Sequence, residues 1–283
     1  MAEVAPMEIG LVIWAESTAE VTLKQVADYG LRVIQLGIPP AVDCAAAVVS
    51  WKQSLAAAPQ VVITSAVCCY EGEDYSDLAT VHESVGFTTP RYRPERIART
   101  REIADFAHGL GIEAVSCHIG FIPEDPEDAL YAELIEVTRT LCDGTSVNGQ
   151  NFVLETGQES AEVLLRFIAD VGRSNLKINF DPANMILYGS GDPLAALALL
   201  QKHVVSVHCK DGTSPVAGSG SLGKECALGD GEVDFPGFLS LLQQIGYTDS
   251  LTIEREEPDQ QRKVADVFLA IERLKMWKQS IGL

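Results

Sequence analysis

Four residues with metal-binding side chains stand at or beside the carboxyl ends of short apolar runs. They are Glu155 after "NFVL", Asp181 after "LKINF", His208 in "VVSVHC" and Glu254 after "SLTI". Each has a simpler explanation when it is taken alone. A turn or helix cap would account for Asp181, a helix cap for Glu155, surface charge for Glu254 and a hydrogen-bonded core position for His208. Because all four occupy the ends of successive runs, the pattern predicts one shared site.

The chemistry of such a site follows from its charge. Three carboxylates at one place repel one another and are costly to remove from water. A divalent cation removes this cost, and three oxygen ligands with one imidazole suit Mn²⁺, Mg²⁺ or Co²⁺, with Zn²⁺ as a further alternative. We therefore expect Glu155, Asp181, His208 and Glu254 to bind a divalent cation, with Mn²⁺ as the leading candidate.

The elements that would position these residues can be predicted from the apolar pattern. Short apolar runs alternate with stretches of helical spacing, at roughly 35 residues per unit, which is typical of β-strand and α-helix units. Nearly continuous apolar runs indicate parallel strands that are covered on both faces. The predicted strands are residues 9–15, 32–38, 61–70, 114–120, 151–156, 176–181, 204–211 and 250–256.

Eight such units favour a closed (β/α)8 barrel, the TIM barrel, over an open doubly wound sheet. The glycine-rich dinucleotide fingerprint of a Rossmann fold is missing after the first run. No linker or low-complexity tract divides the chain, so residues 1–283 are predicted to form a single barrel domain. The carboxyl ends of barrel strands converge on one face, so the four candidate ligands would meet there.

Composition narrows the classes of partner. Hydrophobic residues make up 47% of the 283 residues, and 40 acidic against 21 basic side chains give a net charge of −19. This charge disfavours nucleic acid and anionic membranes as partners. The sequence shows no signal peptide pattern and no apolar run of about 20 residues. The seven cysteines are scattered and include no CxxC pair, which is typical of reduced thiols, so a cytoplasmic location is expected.

The ordered motifs "LET", "FDPAN", "VHCKD", "LGDGEVDF" and "LTIERE" resemble those of the sugar isomerase and epimerase group with the xylose isomerase-like barrel. This group includes ketose 3-epimerases, hydroxypyruvate isomerase and inosose dehydratase. The resemblance covers most of the chain and is strongest from residue 150 onward. It implies a TIM barrel, a single divalent metal ion and, in many members, a homo-oligomer.

The resemblance also implies a reaction. The substrate would be a small sugar or sugar phosphate that undergoes proton transfer at a carbon next to a carbonyl. The metal ion would act as a Lewis acid that stabilises the enediolate. Glu155 and Glu254 would be the catalytic base and acid on the two faces of the substrate. Which sugar, which carbon and whether the substrate is phosphorylated stay open.

Four further residues are candidates for substrate binding: His118, Gln158, Asn184 and Lys210. His118 could instead be a hydrogen-bonded structural histidine, Gln158 could lie at a solvated helix start, and Lys210 could pair with Asp211. Asn184 stands where several ketose 3-epimerases carry a histidine. Several of them also carry an arginine soon after the histidine of the seventh strand, where this chain has Lys210 and then a loop rich in glycine and serine. Within the Gly- and Ser-rich loop that follows, "GSGSLGK" could hold a phosphate or be a plain flexible loop.

Three other functions remain as alternatives. A polyol-ketone dehydratase of the inosose type would use the same site. An endonuclease IV-like nuclease would need about three zinc ions and more histidine ligands, whereas His82, His108 and His203 lie in loop or helix patterns. A non-catalytic sugar-binding protein on the same barrel would have no need of two opposed glutamates at a metal ion.

Overall fold

The computed structural model of this protein describes residues 3–16, 18–216 and 220–283. The strands of the described residues are β1 Ile9–Trp14, β2 Val33–Ile38, β3 Val62–Cys68, β4 Ala114–Cys117, β5 Asn151–Glu155, β6 Leu176–Phe180, β7 Val204–Cys209, β8 Asp211–Thr213, β9 Lys224–Cys226 and β10 Leu251–Ile253. The helices are α1 Ala19–Asp28, α2 Cys44–Ala57, α3 Leu78–Ser84, α4 Arg93–Leu110, α5 Ala129–Ser146, α6 Ala161–Val171, α7 Pro182–Tyr188, α8 Pro193–Leu200, α9 Phe235–Gln244 and α10 Gln260–Ser280.

Eight parallel strands close into a barrel in the order β1-β10-β7-β6-β5-β4-β3-β2. The first and last barrel strands pair in parallel, with Ile9 opposite Leu251 and Leu11 opposite Ile253. The two short strands β8 and β9 form a separate antiparallel hairpin, in which Asp211 lies opposite Cys226. The predicted (β/α)8 barrel is therefore confirmed, whereas the prediction of a single domain over residues 1–283 is not tested by the barrel alone.

The helices pack on the outside of the barrel through apolar faces, and α6 shows how the local sequence sets this arrangement. Its buried residues recur every three or four positions and include Leu164, Phe167, Ile168 and Val171, which is the period of one helix face. The Ser160 hydroxyl accepts a hydrogen bond from the Val163 N–H at 3.3 Å and caps the start of the helix. These contacts fix the loop between β5 and α6, which carries the candidate site residue Gln158.

The observed elements differ from the predicted ones at several boundaries. Strands β4, β6 and β10 are shorter than predicted, so that His118, Asp181 and Glu254 lie directly after a strand. Asp181 could begin either a turn or a helix by its sequence, and the structure shows that it caps helix α7. An aspartate cap followed by proline at the first helical position also begins a helix, and α7 begins in this way.

The segment after β7 was predicted to be a loop, but part of it is ordered as the hairpin β8–β9. Within the predicted "GSGSLGK" segment, Gly218 and Ser219 lie outside the described residues. The Gly223 N–H donates to the Leu187 carbonyl at 2.8 Å, and Lys224 begins β9. At these two positions the segment therefore packs against α7 and pairs in the hairpin.

No disulfide joins any of the seven cysteines. Over the part of the chain that the structure describes, every helix is too short or too polar to cross a membrane.

A single buried carboxylate organises the loop after the hairpin. Both oxygens of Asp211 accept backbone hydrogen bonds, from the N–H groups of Gly212 and Val233 on one oxygen and of Gly229 and Gly231 on the other, at 2.8–3.2 Å. The motif "LGDGEVDF" thus wraps around one side chain that is 1% exposed. Buried N–H groups without a partner are costly, so this carboxylate holds the loop in place.

We expect Asp211→Ala to lower the free energy of unfolding by about 2 kcal/mol, because it leaves several backbone N–H groups without an acceptor. Equilibrium urea unfolding measures this change. Asp230→Ala is the matched control: Asp230 lies in the same loop, is 53% exposed and pairs with Arg273 at 2.8 Å. A surface pair of this kind contributes less than about 1 kcal/mol. Equal effects of the two substitutions would contradict the assignment.

Candidate metal centre

The four predicted metal ligands come together at the carboxyl end of the barrel. Glu155 ends β5, His208 is the last residue but one of β7, and Asp181 and Glu254 follow β6 and β10 directly. These strands are consecutive in the barrel. One ligand atom from each residue lies within 4.8 Å of the others, and within the described residues this is the one cluster of its kind that could hold a metal ion.

The cluster is built around Nδ1 of His208. This nitrogen lies 3.2 Å from a Glu155 oxygen, 3.2 Å from a Glu254 oxygen and 3.6 Å from Oδ2 of Asp181. Burial opposes the charged form of the imidazole, but the surrounding carboxylates outweigh it and raise the pKa of His208 well above its usual value. Negative charge in this pocket therefore strongly favours a cation.

The two oxygens of Asp181 have different surroundings. Oδ1 accepts hydrogen bonds from the N–H groups of Ala183 and Asn184 at 2.8 and 3.1 Å and so caps α7. Oδ2 is buried and has no hydrogen-bond partner among the described residues. Burial raises the pKa of this carboxyl. The helix-cap and ligand interpretations of Asp181 are compatible, because each uses a different oxygen.

The donor set of this structure fits a divalent cation. Three carboxylate oxygens and one imidazole nitrogen suit Mn²⁺, Mg²⁺ or Co²⁺, and Zn²⁺ also accepts such ligands. The unpartnered oxygen of Asp181 is a buried acceptor that a cation would satisfy.

Gln35 orients the imidazole, and the sequence analysis missed it. The Oε1 atom of Gln35 lies 3.0 Å from Nε2 of His208. Nε2 is therefore the donor, and Nδ1 is the ring nitrogen that faces the carboxylates, where a cation would replace its proton. The Nε2 of Gln35 in turn donates to Asn179 at 3.3 Å. The one signal in the sequence is a single amide inside the apolar run "VIQLGI".

Two other residues contact Glu155. The Asn184 amide donates to Oε1 of Glu155 at 3.0 Å, and Nε2 of His118 lies 3.7 Å from Oε2. Burial alone would raise the pKa of Glu155, but His118 and His208 lower it below its usual value. Nδ1 of His118 is buried without a partner in the described chain, which does not fit a fully hydrogen-bonded structural histidine.

Lys210 lies beside the other glutamate. Its Nζ is 3.1 Å from an oxygen of Glu254 and 2.9 Å from an oxygen of Glu256. Burial would raise the pKa of Glu254, but Lys210 and His208 outweigh it and hold that pKa well below its usual value. The alternative in which Lys210 pairs with Asp211 is wrong, because Asp211 is occupied by backbone N–H groups.

A sequence profile described as xylose isomerase-like TIM barrel matches residues 23–281. The chain belongs to the xylose isomerase-like TIM barrel family. Comparison with curated protein sequences gives no match.

Solved structures place this xylose isomerase-like barrel among close and distant relatives. A xylose isomerase domain protein from Planctomyces limnophilus is 39% identical with a TM-score of 0.92, over 98% of this chain and 99% of that chain. A xylose isomerase-like TIM barrel protein from Mycobacterium smegmatis in complex with magnesium is 17% identical with a TM-score of 0.66, over 94% and 98%. L-ribulose 3-epimerase is 17% identical with a TM-score of 0.68, over 95% and 94%. The last two similarities show the fold alone.

Gln158 is the remaining predicted site residue of this barrel. It is 8% exposed, so the interpretation as a solvated helix start is wrong. Its Nε2 is buried without a hydrogen-bond partner in the described chain. The preceding Gly157 has φ +148°, and a Cβ there would lie 2.5 Å from Cβ of Asn184. Glycine therefore allows the Gln158 loop to pack closely against α7.

For the metal centre of this xylose isomerase-like barrel, we expect about one divalent ion per chain by elemental mass spectrometry. The double variant Glu155→Gln with Asp181→Asn should lose the ion, because it removes two of three anionic ligands. A control pair, Glu136→Gln with Asp143→Asn, changes carboxylates of surface ion pairs that are 71% and 59% exposed. Three zinc ions per chain, or none after soaking with Mn²⁺, would contradict the site.

Loss of the Gln35 contact should weaken metal binding without removing a ligand. Substitution of residues that orient a metal-ligating histidine typically costs about 10- to 100-fold in metal affinity. We expect Gln35→Leu to show a loss of this size in competition titrations with a chelator. Gln53→Leu, an exposed glutamine on α2, is the control. An unchanged affinity in Gln35→Leu would show that Gln35 does not orient His208.

Proposed function

We propose that this protein is a divalent-metal-dependent isomerase or epimerase that moves a proton on a carbon next to a carbonyl in a sugar or sugar phosphate. The observation that carries the proposal is the arrangement of two glutamates. Glu155 and Glu254 are each 3.2 Å from Nδ1 of His208 and come from strands on either side of β6 and β7. Two carboxyl groups that flank one point can serve the two faces of one carbon.

In this proposal Glu155, Asp181, His208 and Glu254 would hold the ion, with Mn²⁺ as the expected metal. A bound divalent ion would supply Lewis acidity toward the oxygens of the substrate. The magnesium complex of the Mycobacterium smegmatis barrel supports a hard divalent ion on this fold, and the L-ribulose 3-epimerase supports sugar chemistry on it.

The other steps, proton transfer and substrate binding, are carried out by side chains of this protein. Glu155 takes or delivers the proton on one face of the substrate, and Glu254 does so on the other. Asn184 and Lys210 hold these carboxylates through contacts of 3.0 and 3.1 Å and are also candidates to bind substrate oxygens. Gln158 has a free N–H donor that a substrate hydroxyl would satisfy, and His118 has a buried ring nitrogen without a partner in the described chain.

The partner in this proposal is a small molecule. A homo-oligomer and a cytoplasmic location, like the absence of nucleic acid and membrane partners, stay predictions from the sequence. The dehydratase alternative shares the first proton transfer with the proposed reaction and differs in the product, which has lost water. The structure offers no second metal cluster within its described residues, so nothing in it favours a nuclease with three zinc ions.

Hydrogen exchange at carbon tests the proposal directly. Mn²⁺-loaded protein is incubated in D₂O with a panel of ketoses, aldoses and their phosphates, and ¹H NMR follows deuterium incorporation and the appearance of an isomer. We expect exchange with at least one substrate, and a loss of about 10²–10⁴-fold in Glu155→Gln and in Glu254→Gln because each lacks one proton-transfer group.

Glu136→Gln serves as the control because this glutamate is 71% exposed. The metal content of each variant is measured in parallel, so that loss of the ion is recognised. Exchange that persists in both glutamate variants would refute their roles. A product that has lost water would assign the dehydratase reaction instead.

A further inference from the structure

A cavity of about 680 Å³ opens on the same face of the barrel as the metal centre. Its walls come from α3 and from the segments that follow β4, β5 and α7. Gln158 lies in the loop that begins after Glu155, and Tyr188 ends the helix that Asp181 caps. Gly157, beside Gln158, lies against both Asn184 and the Tyr188 ring, and Asn184 donates to Glu155. The cavity is therefore next to residues that hold the metal centre.

Two buried polar side chains lie in the wall of the cavity, and one of them has a donor atom without a partner in the described chain. Gln158 is 8% exposed, and its Nε2 has no partner in the described chain. Glu159 is also 8% exposed, and burial raises its pKa to about 8. Burial thus favours the protonated carboxyl, which can both donate and accept a hydrogen bond. Ligand hydroxyl groups, which are donors and acceptors at once, complement both side chains.

An aromatic surface lies in the same wall. The ring of Phe121 stacks on the ring of His82 with centroids 3.6 Å apart, and it meets the ring of Tyr188 edge-on at 5.8 Å. Ring contacts of this kind hold an aromatic face in a fixed orientation. A sugar ring has apolar C–H faces and a polar hydroxyl edge, so it suits an aromatic wall combined with a few polar groups.

The charges around the cavity disfavour a phosphate. The wall contains the carboxylates of Glu124 and Asp128, and no lysine or arginine of the described chain lines it. Burial lowers the pKa of His82, which favours its neutral form. The start of α6 also borders the cavity, but the Ser160 hydroxyl already accepts from the Val163 N–H there. An anionic group would thus meet negative charge without a cation to pair with.

We propose that this cavity is a subsite for a second, uncharged sugar ring, so that the substrate is a neutral glycoside of a keto sugar and not a sugar phosphate. The inference rests on the proposed function, which places the reacting sugar at the metal centre. The volume is within the range of about 300–1,000 Å³ that ligand pockets usually have. Phe121 would contact one face of the second ring, with Gln158 and Glu159 bonding its hydroxyl groups.

Titration calorimetry on the Mn²⁺-loaded protein tests the subsite. The probes are D-fructose, D-fructose 6-phosphate and three keto-disaccharides of different linkage: turanose, lactulose and isomaltulose. We expect at least one disaccharide to bind about tenfold or more tightly than D-fructose. Phe121→Ala and Glu159→Ala should each remove about tenfold of that advantage. Two variants are used so that poor folding of one does not decide the result.

Val147→Ser, at a position that is 85% exposed and outside the cavity, should leave all affinities unchanged. The subsite is refuted if no disaccharide binds more tightly than D-fructose, if D-fructose 6-phosphate binds most tightly, or if both cavity variants keep the wild-type preference. Deuterium exchange separates this inference from the proposed reaction. Exchange on D-fructose without a disaccharide preference would refute the subsite alone, and a disaccharide preference without exchange on any sugar would refute the reaction alone.

Discussion

Three buried carboxylates that face one imidazole nitrogen are the constraint on which the rest of this structure depends. Like charges this close in a protein interior are costly unless other groups oppose them. The chain opposes the charge at each acid in a different way: Lys210 lies beside Glu254, the Asn184 amide beside Glu155 and the first N–H groups of α7 beside Asp181. One oxygen of Asp181 still has no partner in the described chain, and this remaining negative charge favours a cation over a further hydrogen bond.

The same constraint explains why the barrel interior is polar beneath the site. Barrels of this type are usually filled by branched apolar side chains. Here Gln35 and Ser206 both donate to Oδ1 of Asn179, at 3.3 and 2.6 Å, and Gln35 also holds His208. All four residues are buried. Nδ2 of Asn179 has no partner in the described chain, but the bonds that are formed link Gln35 on β2 to His208 on β7. The orientation of the imidazole therefore depends on a strand that is not a neighbour of its own.

The sequence was sufficient to predict the barrel and the four clustered side chains for one physical reason. In a parallel barrel, consecutive strands are neighbours and end on the same face, so Glu155, Asp181, His208 and Glu254 can be brought together from their positions alone. Gln35 could not be assigned in this way, because its contact with His208 runs across the barrel between strands that are not neighbours. The four hydrogen bonds to Asp211 could not be predicted either. Glycine and aspartate in "LGDGEVDF" indicate a loop, but they do not indicate which side chain accepts hydrogen bonds from its N–H groups.

The two glutamates of the proposed reaction differ in the charge of the groups that contact them, and this difference matters for catalysis. A lysine within 3.1 Å of Glu254 carries a full positive charge, whereas Glu155 accepts from an uncharged amide and has a histidine at 3.7 Å. Charge-assisted hydrogen bonds stabilise a carboxylate more than neutral ones do, so Glu254 is the more firmly ionised of the two. Proton transfer between two faces of one carbon requires one carboxylate to take a proton and one carboxyl group to give it. The unequal surroundings make Glu155 the easier of the two carboxylates to protonate.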